Sequence, residues 1–178
     1  MMRKSPGCKS SLVIAALLVT TNATAQTVDE YHVKAAFVFN FAKFIQWPAE
    51  AFKTPSDPLV ICVVGQDQMA NSLRETVNGN AIDGRPVIIR QIAIGQGPCD
   101  CHILFVGTSA MKGFRSHAKE STGVLTVGET PGFAVDGGAI NLRLEDGRIR
   151  FEINVVAAER QQLHISSKLL SLAQVVKK

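Results

Sequence analysis

Residues 59–65, LVICVVG, and residues 102–107, HILFVG, decide the fold class of this chain. Each run is short, continuously apolar and ended by glycine, a pattern typical of a strand covered on both faces of a parallel sheet. Around these runs, the sequence predicts helices over residues 69–77 and 110–120 and further strands over residues 86–94 and 124–127. Strands that alternate with helices indicate a single α/β domain with a mostly parallel sheet flanked by helices.

The pattern changes toward the carboxyl end of the chain. Apolar and polar residues alternate over residues 140–144 and 148–153, on either side of Glu145-Asp146-Gly147. Alternation with a period of two around a glycine-containing turn is typical of a hairpin with one exposed face. The sequence therefore predicts an antiparallel hairpin added to the parallel sheet.

A last helix is predicted over residues 166–176, with Ser166 as its N-cap. The apolar residues of this segment include Leu169, Leu170 and Leu172, and together they exceed one narrow stripe. We therefore predict that part of this apolar surface binds a partner. An ordinary docked terminal helix is the alternative interpretation.

A first helix is predicted over residues 28–47 and is apolar almost all round, which indicates burial in the core or against another molecule. Pro48 ends it. Trp47 lies at the helix end, so we predict that Trp47 contacts a partner or ligand. Aromatic residues on one helical face are expected to form core instead: Phe37, Phe41 and Phe44.

Residues 1–25 have the pattern of a cleaved signal peptide. Three basic residues precede the apolar run at residues 12–19, and small residues lead up to Ala25. The run is shorter than the roughly 20 residues of a bilayer-spanning helix. We therefore expect an exported protein without membrane insertion, whose folded domain comprises residues 26–178.

Charge gives no indication of nucleic-acid binding. The chain has 19 basic and 15 acidic residues, a formal charge of +4. Removal of the three basic residues of the signal leaves 16 basic and 15 acidic residues, a charge of +1. Nucleic-acid binding would require Lys and Arg clustered on one face, and no such cluster is present in the sequence.

Three of the four cysteines, Cys62, Cys99 and Cys101, follow the signal. In an exported protein, a disulfide is their expected state. Cys99, Cys101 and the adjacent His102 also have the chemistry of soft-metal ligands, but no second cluster completes a tetrahedral set. We therefore predict a disulfide and no metal site.

The most favourable disulfide joins Cys62 to Cys101. Cys62 lies in the run 59–65, and Cys101 directly precedes the run 102–107. Neighbouring strands lie about 4.8 Å apart, within the roughly 7 Å between Cα atoms that a disulfide allows. Cys99 is the alternative partner of Cys62 if the loop folds back.

No arrangement of residues predicts catalysis or a cofactor. Ser109 stands after a strand as a nucleophile elbow would, but the final glycine of that motif is absent and no His completes a triad, so we interpret Ser109 as a helix cap. A lone G-x-G at residues 95–97 is followed by Pro98, which removes the helix N-terminus that binds phosphate. The alternative to a binding protein is an enzyme or small-ligand receptor with a cleft at the carboxyl ends of the strands.

Three motifs resemble those of the YfiR family of periplasmic proteins: YHVKAAF at residues 31–37 with NFAKF at 40–44 and Trp47-Pro48, GRIRFEIN at 147–154, and LHISSKLL at 163–170 with Ala173. The resemblance covers essentially the whole mature chain. None of these motifs is catalytic.

This resemblance implies a soluble periplasmic repressor that binds the periplasmic domain of an inner-membrane diguanylate cyclase or a related sensor protein. Repression would lower cyclic-di-GMP and biofilm formation. The resemblance also implies a homodimer and disulfide-dependent control. The family pattern includes a second disulfide, which the three cysteines of the mature chain cannot form.

Overall fold

The computed structural model describes residues 23–96, 100–117 and 122–176. Of the predicted signal peptide, residues 1–22 lie outside the described residues, so its cleavage stays a prediction. Cys99 lies outside them as well.

The described residues form five α-helices and ten strands. The helices are α1 (Ala23–Phe41), α2 (Asp67–Val77), α3 (Met111–His117), α4 (Val155–Arg160) and α5 (Ser167–Leu170). The strands are β1 (Ile45–Gln46), β2 (Leu59–Val64), β3 (Ala81–Ile82), β4 (Arg85–Ile92), β5 (Ile103–Val106), β6 (Leu125–Gly128), β7 (Ile140–Glu145), β8 (Arg148–Asn154), β9 (His164–Ile165) and β10 (Gln174–Val176).

Eight strands form one sheet in the order β10-β8-β7-β6-β5-β2-β4-β3. Strands β4, β2, β5, β6 and β7 pair in parallel, and β10 pairs in parallel with β8. β7 and β8 form an antiparallel hairpin, as do β3 and β4 at the opposite edge. The predicted fold class, a mostly parallel sheet with helices and an added hairpin, is confirmed.

The sheet has a separate hydrophobic core on each face. Ile61 and Val63 of β2 belong to the core that α1 and α2 cover, and Cys62 and Val64 belong to the core that α3 covers. Successive strand residues point to opposite faces, so a strand buried on both sides must be apolar throughout. This is the physical reason for the continuous apolar run of residues 59–65.

The predicted helix over residues 28–47 ends earlier than expected. α1 stops at Phe41, a 3-10 turn follows at Ala42–Phe44, and Ile45 enters β1. The helix ends early for two reasons. β1 pairs antiparallel with β9, and Pro48 disfavours the helical conformation at Trp47. The position of Trp47 is therefore set by a strand pair.

The predicted helix over residues 166–176 is wrong for most of its length. Only α5, of four residues, is helical, and Ser166 caps it by accepting a hydrogen bond from the Leu169 amide at 3.3 Å. Residues 174–176 form β10, which pairs with the outer side of β8. A short isolated helix is marginal, whereas the β-branched Val175 and Val176 suit a strand.

Candidate partner-binding site

The carboxyl ends of β2 and β5, where an α/β sheet commonly binds a ligand, are closed by direct packing. Gly65 follows β2 with φ +72°, and a Cβ on Gly107 would lie 2.5 Å from the Gly65 carbonyl oxygen. Ser109 Oγ donates a hydrogen bond to that same carbonyl at 2.8 Å. The Ser109 side chain therefore ties two loops together and does not cap the helix.

A buried charged network fills the space beside these strand ends. Lys34 Nζ of α1 lies 2.7 Å from Glu129 Oε2, just after β6, and 2.5 Å from Glu30 Oε1. Tyr31 donates its hydroxyl to Glu129 at 3.2 Å and accepts from Gln66 Nε2 at 2.6 Å. These groups satisfy one another and fix α1 to the sheet, so they leave no open acid–base pair.

The pKa values of this network follow from its contacts. Burial alone would lower the pKa of Lys34, but hydrogen bonds to Glu129 and Glu30 outweigh burial and raise it. Burial first, and then the negative charge of Glu129, raise the pKa of Tyr31. Lys34 is thus held as a cation and Tyr31 as a neutral phenol, which is the state of a structural anchor.

The opposite end of the sheet contains the disulfide. Cys62 and Cys101 are bonded with 5.9 Å between their Cα atoms and 39 residues of separation, in agreement with the predicted pair. Both cysteines are buried in the core under α3. Cys101 also lines a cavity of about 450 Å³, together with charged residues that include Lys53 and Arg90.

An aromatic stack closes this end of the domain. The rings of His102 and Phe52 are stacked with their centroids 4.2 Å apart. The guanidinium carbon of Arg85 lies 3.8 Å from the centroid of the Phe52 ring. Trp47 contacts both rings edge-on and donates its indole N–H to the His102 carbonyl at 3.4 Å. The half-buried Trp47 therefore has structural contacts, and its predicted role in binding stays a prediction.

Two backbone hydrogen bonds fix the orientation and the tautomer of the His102 ring. Its Nδ1 accepts from the Val60 amide at 3.1 Å, and its Nε2 lies 2.9 Å from the Ala51 carbonyl, to which only a protonated nitrogen can donate. The pKa of His102 is lowered, chiefly by burial; the hydrogen bond to the Ala51 carbonyl raises it in part, and the positive charge of Arg85 lowers it further. The nearby carboxylates, Asp57 and Asp100, act in the opposite direction.

We expect acid to destabilise the domain through His102. Because the folded-state pKa lies below the unfolded value of about 6.5, stability is fully present above pH 6.5 and is lost as pH falls toward the folded-state pKa. Urea unfolding of the wild type at pH 7.5 and pH 5 measures the loss. His102→Gln, which cannot titrate, should show a smaller difference between the two pH values, and an equal difference would contradict the prediction.

An open apolar groove lies on the other side of the molecule, between α1, the β7–β8 hairpin and the segment before β10. It has a volume of about 510 Å³. Its apolar lining is contributed by Phe37, Ile149, Phe151, Leu172 and Ala173. These residues come from three distant parts of the sequence, so the groove exists only after the sheet has formed.

The three predicted leucines have different environments in this region. Leu169 is in the core, with 3% of its surface exposed. Leu170 is half-buried against the same core. Leu172 is 69% exposed and lines the groove, so among the three it has the accessibility that partner binding requires.

The polar rim of the groove carries an excess of positive charge. Arg143 contacts Glu145 at 2.7 Å, Glu152 at 3.0 Å and Gln174 at 2.8 Å, and these contacts engage the rim carboxylate of Glu145 and the neighbouring carboxylate of Glu152. Arg148 and Arg150 are exposed, and neither forms an ion pair within the described residues. The groove is therefore apolar inside and cationic at its hairpin edge.

Within the described residues, no group of three or more His, Cys, Asp or Glu side chains is arranged to hold a metal ion. In the same part of the chain, no helix has the length and hydropathy needed to cross a membrane.

The chain folds as a single α/β domain, and the groove on its hairpin side is a candidate binding surface. The chain belongs to the YfiR/HmsC-like family, whose model matches residues 31–174. No curated protein matches the sequence.

The fold is also similar to a solved structure from Vibrio cholerae, described as a conserved domain protein, with a TM-score of 0.51 and 14% identity. The match covers 83% of this chain and 60% of that one. At this identity the likeness concerns the fold alone.

Proposed function

We propose that this protein is a periplasmic repressor that binds the periplasmic domain of an inner-membrane diguanylate cyclase and holds the enzyme inactive. Cyclic-di-GMP and biofilm formation would then fall. The family match over residues 31–174 carries this proposal. The groove that Leu172 lines supports it, since a contiguous apolar surface with a polar rim is typical of a protein-binding site.

Export and processing belong to the same proposal. Residues 1–25 would be removed as a signal peptide, leaving residues 26–178 as the mature domain. The buried Cys62–Cys101 bond supports an oxidising compartment. We further propose that the protein forms a homodimer, which sedimentation velocity over a range of concentrations would test.

The repressor role is tested in cells and with purified proteins. Deletion of the gene should raise cyclic-di-GMP, and additional deletion of the partner cyclase should cancel the rise. The tagged protein, purified from periplasm and membranes, should retain that cyclase. An unchanged nucleotide level together with no retained cyclase would refute the proposed function.

A further inference from the structure

The outer edge of β8 is only partly covered. β8 runs from Arg148 to Asn154, but its outer neighbour β10 pairs with Glu152–Asn154 alone. No strand of the described chain pairs with Arg148–Phe151 on that side. This uncovered segment, which we call the open edge, lies directly beside the groove, since Ile149, Arg150 and Phe151 line both.

Backbone alternation determines which groups of the open edge face outward. The Asn154 amide donates to the Ala139 carbonyl, on the β7 side, at 2.8 Å. The β7–β8 register is continuous from Ile153 to Arg148, and in an antiparallel ladder successive residues point their backbone groups to opposite sides. The N–H and C=O of Ile149 therefore point away from β7, toward the open side.

The side chains along the open edge alternate in chemistry as well. Ile149 and Phe151 point to the groove face, where Phe37 packs against Phe151 with ring centroids 5.7 Å apart. Arg148 and Arg150 leave β8 on the opposite face and are exposed, and Arg150 also lines the rim of the groove. A strand added here would meet apolar groups on one face and cations on the other.

This charge pattern disfavours a second copy of the chain as the added strand. Two copies paired edge to edge about a two-fold axis would bring Arg148 and Arg150 of both molecules together on one face. Like charges on neighbouring strands are destabilising, and cations at an edge strand are a known protection against self-pairing. An occupant with acidic residues on that face has the complementary charge.

We propose that the open edge binds an extended segment of the partner in which acidic and apolar residues alternate. Its apolar side chains would enter the groove, its carboxylates would approach Arg148 and Arg150, and its backbone would bond to Ile149. This inference rests on the proposed function, because the segment would belong to the cyclase's periplasmic domain. Main-chain bonding with alternate side-chain pockets is the general mode of strand addition.

The test uses the folded full-length mature protein and two capped hexapeptides, one alternating glutamate and valine and the other lysine and valine. In NMR titrations, the acidic peptide should shift the amides of Arg148–Phe151 and slow hydrogen exchange at Ile149. The basic peptide should bind at least tenfold more weakly, and Arg150→Glu should reduce or reverse this preference. Equal binding of both peptides, or shifts that map elsewhere, would overturn the proposal.

Ile149→Pro removes the outward N–H without removing a bond to β7, and Ile149→Val is its matched control. We expect Pro to weaken acidic-peptide binding about tenfold and Val to leave it within about twofold. If the Pro variant does not fold, two acidic peptides replace it, one N-methylated at every valine and the other at every glutamate. One of the two lacks the N–H groups that face Ile149 in either strand orientation, and that peptide should bind about tenfold more weakly. Unchanged binding in whichever comparison is made would overturn strand addition.

Failure of this inference is distinguishable from failure of the proposed function. If Ile149→Pro and Arg150→Glu bind the cyclase domain as tightly as wild type, the repressor proposal stands and strand addition is wrong. If wild type binds the acidic peptide at the open edge but no cyclase domain, the repressor proposal fails while the peptide specificity stands.

Discussion

Replacement of both Cys62 and Cys101 by alanine should lower the free energy of unfolding by about 2–4 kcal/mol. The disulfide closes a loop between residues 39 apart in sequence, and in the chain-entropy model its removal returns that conformational freedom to the unfolded state. Alanine is the appropriate replacement because Cys62 is fully buried and Cys101 is 6% exposed, so a polar side chain would add a desolvation penalty of its own.

Urea unfolding of the oxidised wild type, the reduced wild type and the double alanine variant measures this effect. The reduced protein and the variant should both unfold at lower urea concentration than the oxidised protein. Cys99→Ala is the control, and its midpoint should not change. Equal midpoints for oxidised and reduced wild type would contradict a stabilising disulfide, and peptide mapping of the alkylated protein identifies the bonded pair directly.

The loss of the disulfide should weaken the sheet at one point and leave its topology intact. Cys62 of β2 lies beside Leu104 of β5 in a four-residue parallel ladder, and its other neighbour is Arg90 of β4. These backbone pairings do not depend on the sulfur bond. We therefore expect the variant to fold at low temperature with the same secondary structure by circular dichroism.

The centre of the sheet could be predicted from sequence because burial on both faces leaves a one-dimensional signature. The runs at residues 59–65 and 102–107 are apolar throughout, and the structure places β2 and β5 there as direct neighbours. The Cys62–Cys101 pairing follows from the same relation between neighbouring strands. For the strands and for the disulfide alike, a local apolar pattern and the known spacing of neighbouring strands were sufficient for a correct prediction.

The carboxyl-terminal segment could not be predicted in the same way. Leu169 to Ala173 has helical composition, but residues 174–176 become a strand because β8 presents an unpaired edge. That edge is formed by residues more than 20 positions earlier in the chain, so no local window contains the information. Tertiary pairing therefore overrides local helix preference.

The groove has the same origin and was missed for the same reason. Phe37 was predicted as core and Ile149 as part of a hairpin, and only the folded chain brings both beside Leu172. The aromatic stack around His102 was missed as well, because the stacking of His102 on Phe52 joins residues that share no sequence pattern. In the sequence, His102 is a single histidine beside Cys101, and nothing in that pattern predicts stacking on Phe52.

Leu172→Asp should weaken binding of the proposed partner, the periplasmic domain of the cyclase, about 30-fold or more, the effect of losing an interface residue worth about 2 kcal/mol. The physical reason is that a carboxylate in the groove would lose hydration beside Phe37 and Ile149 when a partner covers it. The midpoint of thermal unfolding should change little, because Leu172 is 69% exposed in the free protein and exposed substitutions usually alter stability by about 0.5 kcal/mol or less.

Leu169→Asp is the matched control, since it makes the same chemical change three residues earlier at a site that is 3% exposed. It should unfold the domain or lower its stability by several kcal/mol, and its binding loss should follow its loss of folded protein. Because Leu170 is half-buried, Leu170→Asp should lower both the stability of the domain and its partner binding, each in part. The decisive measurement is binding of the cyclase domain to folded Leu172→Asp by isothermal titration calorimetry: full affinity there would place the interface on another surface and leave Leu172 without a role in repression.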